Sequence, residues 1–120
     1  MEGVSVIPAT SWQYVSPAEI ADTADDEVKA AVVGSYHYVC AVQISNTDVT
    51  VGTMVVVKSA STVIWAGFVS PYVAAAPGVS YIEAVFPKPL RSAVSEAINV
   101  ACLTTSAQVT FCAQGFTSPQ

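Results

Sequence analysis

The residues of this chain that could carry out chemistry are few, and they begin with a single histidine. His37 stands between Tyr36 and Tyr38, and no other histidine or cysteine lies near it at the spacing of a metal site. A nucleophilic cysteine would need a base beside it, and nothing in the spacing brings His37 to a thiol. We therefore interpret His37 as a strand-edge or interface residue, and we predict no catalytic residue and no cofactor.

The three cysteines are Cys40, Cys102 and Cys112. An odd number at wide spacing is not typical of a disulfide framework, so we predict reduced thiols made in a reducing compartment. Cys40 alternates with apolar residues and is expected in the core, whereas Cys112 is expected on a more polar face.

An acidic cluster is the second candidate for chemistry. Its members are Asp22, Asp25, Asp26 and Glu27. Calcium and magnesium prefer oxygen ligands, but the cluster lacks the spacing and the glycine of an EF-hand loop. We interpret it as a solvated loop that binds no metal and that could meet Lys88 and Arg91 across a subunit contact.

A pair of carboxylates is the remaining enzymatic possibility. After Asp48 the chain has only Glu83 and Glu96, and a hydrolase would need the two about 5–10 Å apart in one pocket. Phosphate-binding loops, dinucleotide fingerprints, HExxH, CxxC and G-x-S-x-G are all absent. An enzyme is therefore the third of three hypotheses.

The elements that would position these residues are predicted to be strands. From Val28 onward, apolar residues alternate with period two, and valine, isoleucine and aromatics dominate the runs. The predicted strands cover residues 28–33, 38–45, 54–58, 63–68, 81–86, 98–103 and 109–114. Seven short strands at this spacing are typical of an all-β, antiparallel β-sandwich or of a small barrel.

Two hairpins follow from the pattern. Strands 98–103 and 109–114 would pair through residues 104–107, so that Ile98 faces Ala113 and Val100 faces Phe111. Strands 54–58 and 63–68 would pair through residues 59–61. Several of these strands are apolar on both faces, residues 54–57 most plainly, and such a strand is expected under another layer or in a subunit contact.

Residues 1–27 have a different composition, with two prolines and most of the acids. We predict an N-terminal arm there, lying on the domain or on a neighbour, and a β-sandwich domain over residues 28–120. Ser16 to Glu19 fits a capping box for a helical turn or two. Trp12, Tyr14 and Ile20 are isolated apolar anchors in this arm, whereas Trp65 is expected in the core or at the edge of the sandwich.

Composition indicates a surface that is covered by other subunits. The chain is 52% hydrophobic and 11% charged, with a net charge of −5, while a fold of this size exposes roughly 6,200 Å². Four cationic side chains are too few for nucleic acid, and no basic amphipathic stretch suits a membrane surface. The first residues do not resemble a signal peptide, and the uncharged stretch 59–82 is better explained by a strand and a loop than by a membrane span.

Five segments taken together resemble small structural proteins of tailed bacteriophages. They are FPKPLR at 86–91, AINVACLTT at 97–105, AQGF at 113–116, QISNT at 43–47 and VIWAGF at 63–68. The ensemble is similar to capsid decoration, or cement, proteins. That resemblance implies a jelly-roll-like sandwich of about seven to eight strands, homo-oligomers that are often trimers, and binding to the major capsid protein on the outer surface of the shell.

The first hypothesis is therefore a virion protein, made in the host cytoplasm, that stabilises a capsid by binding across capsomer junctions. Its expected contact residues are Trp12, Tyr14 and Ile20 in the arm, and Pro71 and Tyr72 in the loop of residues 69–80. The second hypothesis is a tail, neck or fibre-associated module that binds a host surface glycan through exposed aromatics.

Overall fold

The computed structural model describes residues 10–119 and is built from strands. The predictions for the first residues of the chain, including the one about a signal peptide, lie outside the described residues. The eight strands are β1 (Thr10–Val15), β2 (Asp26–Lys29), β3 (Ser35–Asn46), β4 (Thr53–Ser59), β5 (Thr62–Val69), β6 (Tyr81–Arg91), β7 (Ile98–Cys102) and β8 (Val109–Pro119). A short 3-10 helix, Pro77–Ser80, precedes β6.

The strands form two antiparallel four-stranded sheets, which confirms the predicted all-β sandwich. Sheet A has the order β1-β8-β3-β6, and sheet B has the order β2-β7-β4-β5. The first strand pairs with the last, the second with the seventh, the third with the sixth and the fourth with the fifth. This nested pairing is that of a jelly roll, as the resemblance implied.

The core lies between the sheets because alternate residues of each strand point inward. Phe111 and Ile44 of sheet A are fully buried, and so are Ile98, Val55 and Val57 of sheet B. Val56 points to the outer side of sheet B, yet it is only 3% exposed in the single chain. Val56 is thus covered within its own chain, whereas Met54, on the same face, is half-buried.

Six of the seven predicted strands exist. The strand predicted over residues 28–33 is wrong for most of its length, because β2 ends at Lys29 and residues 30–34 form a connection. β1 was not predicted. Its residues Thr10–Val15 pair along their whole length with β8, and β2 begins at Asp26. β1 and the first two residues of β2 fall within residues 1–27. The described part of the predicted arm therefore belongs to the sandwich. The expected helical turn after Ser16 is a bend, in which the Ser16 hydroxyl accepts the Phe111 N–H at 3.1 Å.

One predicted hairpin is correct and the other is wrong. β4 and β5 pair through a tight turn in which Ala60 has a φ of 51°. β7 and β8, in contrast, belong to different sheets. Their apolar faces meet across the core. An apolar match between two strands that are consecutive in sequence therefore does not decide whether they pair in one sheet or pack face to face in two.

The connections gather at the two ends of the sandwich. The loop end comprises residues 16–25, 47–52, 70–80 and 103–108. Backbone bonds join these loops, for example Tyr72 N–H to the Asp48 carbonyl at 2.7 Å and Ser106 N–H to the Ala21 carbonyl at 2.8 Å. The opposite end comprises residues 30–34, 60–61 and 92–97, where the Gly34 N–H donates to Ser95 Oγ at 2.9 Å.

Candidate functional site

Two of the predicted contact residues are buried in their own chain. Trp12 and Ile20 are 9% and 4% exposed and belong to the core cluster. Tyr14 is half-buried and packs against Phe111, with ring centroids 6.2 Å apart. Trp12 and Ile20 therefore keep little surface for a neighbouring subunit, and this part of the predicted contact set is corrected to core.

The other two predicted residues lie at the loop end, where apolar side chains are exposed. Pro71 is half-buried, and Tyr72 is 39% exposed. The loop end also carries exposed side chains of Val49, Val73, Val79 and Leu103. The opposite end also exposes Val32, Val33 and Val94, but the loop end exposes more large apolar groups, on three adjoining loops. Exposed apolar groups that adjoin one another are a mark of a protein contact, so we take the loop end as the candidate functional site.

Asn46, at the end of β3, holds the loops of this site together. Its amide Nδ2 donates to the carbonyls of Val51 at 2.8 Å and Ser70 at 3.1 Å. Its Oδ1 accepts the N–H groups of Asp48 at 3.1 Å and Gln108 at 3.2 Å. Asn46 is 1% exposed, so one buried amide ties together three loops that are far apart in sequence.

Asp48 shapes the loop that carries Val49. Its carboxylate accepts the N–H groups of Val51 at 2.6 Å and Thr50 at 3.0 Å. These hydrogen bonds hold the pKa of Asp48 below its ordinary value. Neither Asn46 nor Asp48 was singled out from the sequence, although an Asn-x-Asp pair directly after a strand is a signal for a tight loop.

His37 is a fully buried structural residue. Its Nε2 lies 2.8 Å from the Ala30 carbonyl, which can only accept, so Nε2 carries the proton and Nδ1 accepts the Thr117 hydroxyl at 2.7 Å. Burial lowers the pKa of His37, although the bond to Ala30 works against this and nearby Lys29 adds to it. A neutral imidazole with both nitrogens occupied has no free atom for a metal or a proton transfer.

The three cysteines are free thiols that lie in different places. Cys102 is buried in the core, and burial, assisted by Asp22 and Asp26, raises the pKa of its thiol to about 11. Cys112 is half-buried on the outer face of sheet A. Cys40 was expected in the core but is also half-buried, because the register of β3 shifts between Val39 and Ala41. A thiol with a raised pKa is a poor nucleophile.

The acidic cluster lies beside a cleft of about 450 Å³ that is lined by Tyr14, residues 16–22, Asp26 and Glu27. Burial, with the charges of Asp22 and Asp25, raises the pKa of Asp26. Within residues 10–119 no group of three or more His, Cys, Asp or Glu side chains is arranged to hold a metal ion. The cluster is tied to sheet B by an ion pair between Asp25 and Lys58 Nζ at 2.8 Å.

Within the single chain, Arg91, Glu83 and Glu96 make their contacts away from this cluster. The Arg91 guanidinium lies 4.6 Å from the centre of the Tyr36 ring. Glu83 accepts the Gln43 amide at 3.0 Å on sheet A, while Glu96 accepts the Ser59 hydroxyl at 2.6 Å at the opposite end. The two carboxylates thus bond to different sheets.

A row of aromatic side chains follows the outer face of sheet A. Tyr38 stacks on Phe116 with centroids 4.6 Å apart and planes 12° from parallel, and Tyr36 lies 6.5 Å from Tyr38. All three rings are half-buried. Next to Phe116 is a shallow hollow of about 340 Å³ whose lining includes Gln13 and Gln114.

Comparison with known proteins found no matching family model and no matching curated protein. In the part of the chain that the structure describes, no helix is both long and apolar enough to cross a membrane. The stretch 59–82 is largely β5 and the loop that follows it.

Proposed function

We propose that this chain is a non-enzymatic structural protein that decorates the outside of a bacteriophage capsid, with its loop end bound across junctions between capsomers. The observation that carries the proposal is the set of exposed apolar side chains on adjoining loops at that end. The partner is a shell protein with a complementary apolar surface. The net charge of −5 argues against direct contact with packaged nucleic acid.

The construction of the loop end supports a docking role. Asn46 and Asp48 hold the loops in place before any partner arrives, so little conformational entropy remains to be lost on binding. Apolar burial contributes about 25 cal/mol per Å², and many symmetric copies on one shell multiply a modest contact energy. A rigid sandwich with a fixed apolar end is suited to that task.

The test is binding of the purified protein to empty capsid shells. Val73→Asp places a charge at the loop end, and Val33→Asp places the same charge at the opposite end, where Val33 is 92% exposed. Co-sedimentation with shells should fall at least tenfold for Val73→Asp and stay unchanged for Val33→Asp. Equal binding by the two variants, or no binding by the parent protein, would overturn the proposal.

A second candidate function is recognition of a host surface glycan by a tail or fibre module, and the aromatic row on sheet A favours it. Sugar rings stack on aromatic faces, and amide side chains such as Gln114 bond to hydroxyl groups. Tyr38→Ala should then abolish binding on a glycan array while Tyr72→Ala leaves it intact. A chain that binds shells and no glycan excludes this candidate.

A further inference from the structure

The outer face of sheet A carries its side chains in rows that cross neighbouring strands. The register places Ser11 of β1, Phe116 of β8 and Tyr38 of β3 in one row. The next row along the strands begins with Gln13 and Gln114. Each of these residues alternates with a neighbour that points into the core, so all five side chains lie on the outer face.

The Phe116 ring has one occupied face and one open side. Tyr38 stacks on it with ring centroids 4.6 Å apart, whereas its neighbour on the other side, Ser11, is too small to cover the ring. The space beside Ser11 is the hollow of about 340 Å³ that Phe116, Gln13 and Gln114 help to line. A ring that is held by a second ring and has room on its free side is a platform for a stacked ligand.

A second hollow continues the first along the strands. It measures about 210 Å³, contains the same Gln13 and Gln114 in its lining, and extends to Val15, Gln43 and Cys112. Because the two hollows share the glutamine pair, they form one groove on the outer face of sheet A. We call this the sheet A groove.

Among the described residues, no charged side chain lines the sheet A groove. The larger cleft of about 450 Å³ is different, because its lining includes Glu19, Asp22, Asp26 and Glu27. The sheet A groove offers amide side chains, which both donate and accept hydrogen bonds, next to an aromatic platform. These groups suit an uncharged ligand that is rich in hydroxyl groups.

The charges nearest to the groove in the register of sheet A do not favour an anionic ligand. Glu83, which accepts the Gln43 amide at 3.0 Å, adds a negative charge beside the second hollow. Arg91 lies in the row of Phe116 but beyond Tyr38, and its guanidinium lies over the Tyr36 ring. The groove therefore has no cation in place to pair with a carboxylate or a phosphate.

We propose that the sheet A groove binds a neutral oligosaccharide, with one sugar ring stacked on the free side of Phe116 and the next bonded to the amides of Gln13 and Gln114. The site rests on the second candidate function, glycan recognition, and adds where the glycan lies and which glycans are accepted. Sugar hydroxyl groups need both donors and acceptors, and the glutamine pair supplies both. Acidic sugars are rejected because a desolvated charge without a partner is costly.

Filling the first hollow tests the position of the site. Ser11→Tyr places a ring in the space beside Phe116, and Ser61→Tyr places the same ring at another exposed serine, in the turn between β4 and β5. Affinity for neutral oligosaccharides should fall roughly tenfold or more in Ser11→Tyr, because the ligand must displace the added ring, and should stay unchanged in Ser61→Tyr. Both variants should keep the circular dichroism of the parent. Equal affinities of the two variants would overturn the position.

Gln114→Glu tests the hydrogen-bonding chemistry without a change of shape. A carboxylate cannot donate a hydrogen bond, so a sugar hydroxyl that accepts from the amide is left unpaired, and affinity should fall about tenfold. Unchanged affinity would overturn the role of the glutamine pair. Sialylated and uronic-acid glycans on the same array should not bind the parent chain, and a preference for them would overturn the neutral class of ligand.

The outcomes separate this site from the functions proposed above. A parent chain that binds no glycan overturns both the second candidate function and the site. A parent chain that binds neutral glycans equally well with Ser11→Tyr and Gln114→Glu keeps the candidate function and overturns the site alone. Co-sedimentation with empty shells is measured separately and decides the capsid function.

Discussion

The N-terminal segment (residues 10–29) and the loop of residues 70–80 both carry isolated apolar side chains among small or polar residues, and the fold uses them in opposite ways. Trp12 and Ile20 of the segment are in the core, whereas Tyr72 and Val73 of the loop are exposed. The difference is backbone pairing. β1 adds to the edge of β8 along its whole length, while the loop bonds to its surroundings at a few points, such as Tyr72 to Asp48.

An isolated aromatic side chain in the sequence is therefore not by itself evidence for a contact with another protein. Trp12 is drawn into the core because its strand completes sheet A and turns every second side chain inward. Tyr72 follows the last residue of β5 by three positions and has no sheet neighbour. Four experiments test this difference between the segment and the loop, in decreasing order of the change expected in unfolding free energy.

Trp12→Ala should have the largest effect. Removing a buried indole costs about 3–5 kcal/mol of unfolding free energy, measured by denaturant titration. The indole N–H is buried without a hydrogen-bond partner, so Trp12→Phe should lose much less. If Trp12→Ala lost under 1 kcal/mol, the segment would be an arm and not part of the sandwich.

Gly115→Ala should come next. Gly115 lies opposite Trp12 in the ladder, and a methyl group there would collide with the Tyr38 carbonyl oxygen and the Trp12 ring. Overpacking of this kind costs about 1–3 kcal/mol. Gly78→Ala, in the loop of residues 70–80, meets nothing within 4 Å and is the control. Equal unfolding midpoints for the two variants would contradict the close approach of β8 to Tyr38 of β3 and Trp12 of β1.

Protonation of His37 should weaken its contact with the backbone of Ala30, just after the N-terminal segment. Because burial lowers the pKa of His37 below 6.5, the unfolded chain binds more protons there, and stability is complete above about pH 6.5 and falls as the pH decreases. The slope is at most about 1.4 kcal/mol per pH unit.

Unfolding from pH 7 to pH 5 should show this loss in the parent chain and not in His37→Gln. The comparison with the variant is needed because Asp26, whose pKa is raised, acts in the opposite sense and gains stability as the pH falls. A parallel pH profile for the two proteins would show that His37 titrates as it does in the unfolded chain.

Tyr72→Ala should have the smallest effect on folding. An exposed loop residue changes the unfolding free energy by about 0.5 kcal/mol or less, so the melting temperature should stay close to that of the parent. Binding to empty shells should nevertheless weaken. Destabilisation as large as that of Trp12→Ala would mean that the loop of residues 70–80 is part of the core.

Much of the fold could be predicted because period-two alternation is local. Six of the seven predicted strands exist, and the β4–β5 hairpin follows from its short turn. β1 also carried the signal, since Trp12 and Tyr14 alternate with Ser11 and Gln13. The strand predicted over residues 81–86 stops before Pro87, whereas β6 continues to Arg91 because it is an edge strand, where proline is tolerated.

Less of the candidate site could be predicted, because it is assembled from distant residues. Pro71 and Tyr72 were predicted as contact residues in the loop of residues 69–80, but Asn46 becomes important only when it meets Ser70 and Gln108. The same is true of His37, whose bonds to Ala30 and Thr117 involve three separate parts of the chain. Spacing along the chain carries no information about such partners.

The amino-acid sequence was enough to predict an all-β sandwich with few charges, because alternation is a local pattern and composition is a sum over the chain. The three-dimensional arrangement was needed to show that β7 and β8 lie in different sheets, that Trp12 and Ile20 are core, and that β5 is an uncharged edge. The physical reason is that apolar matching fixes which face of a strand points inward, whereas its neighbour is chosen by competition among all the strands for backbone hydrogen bonds.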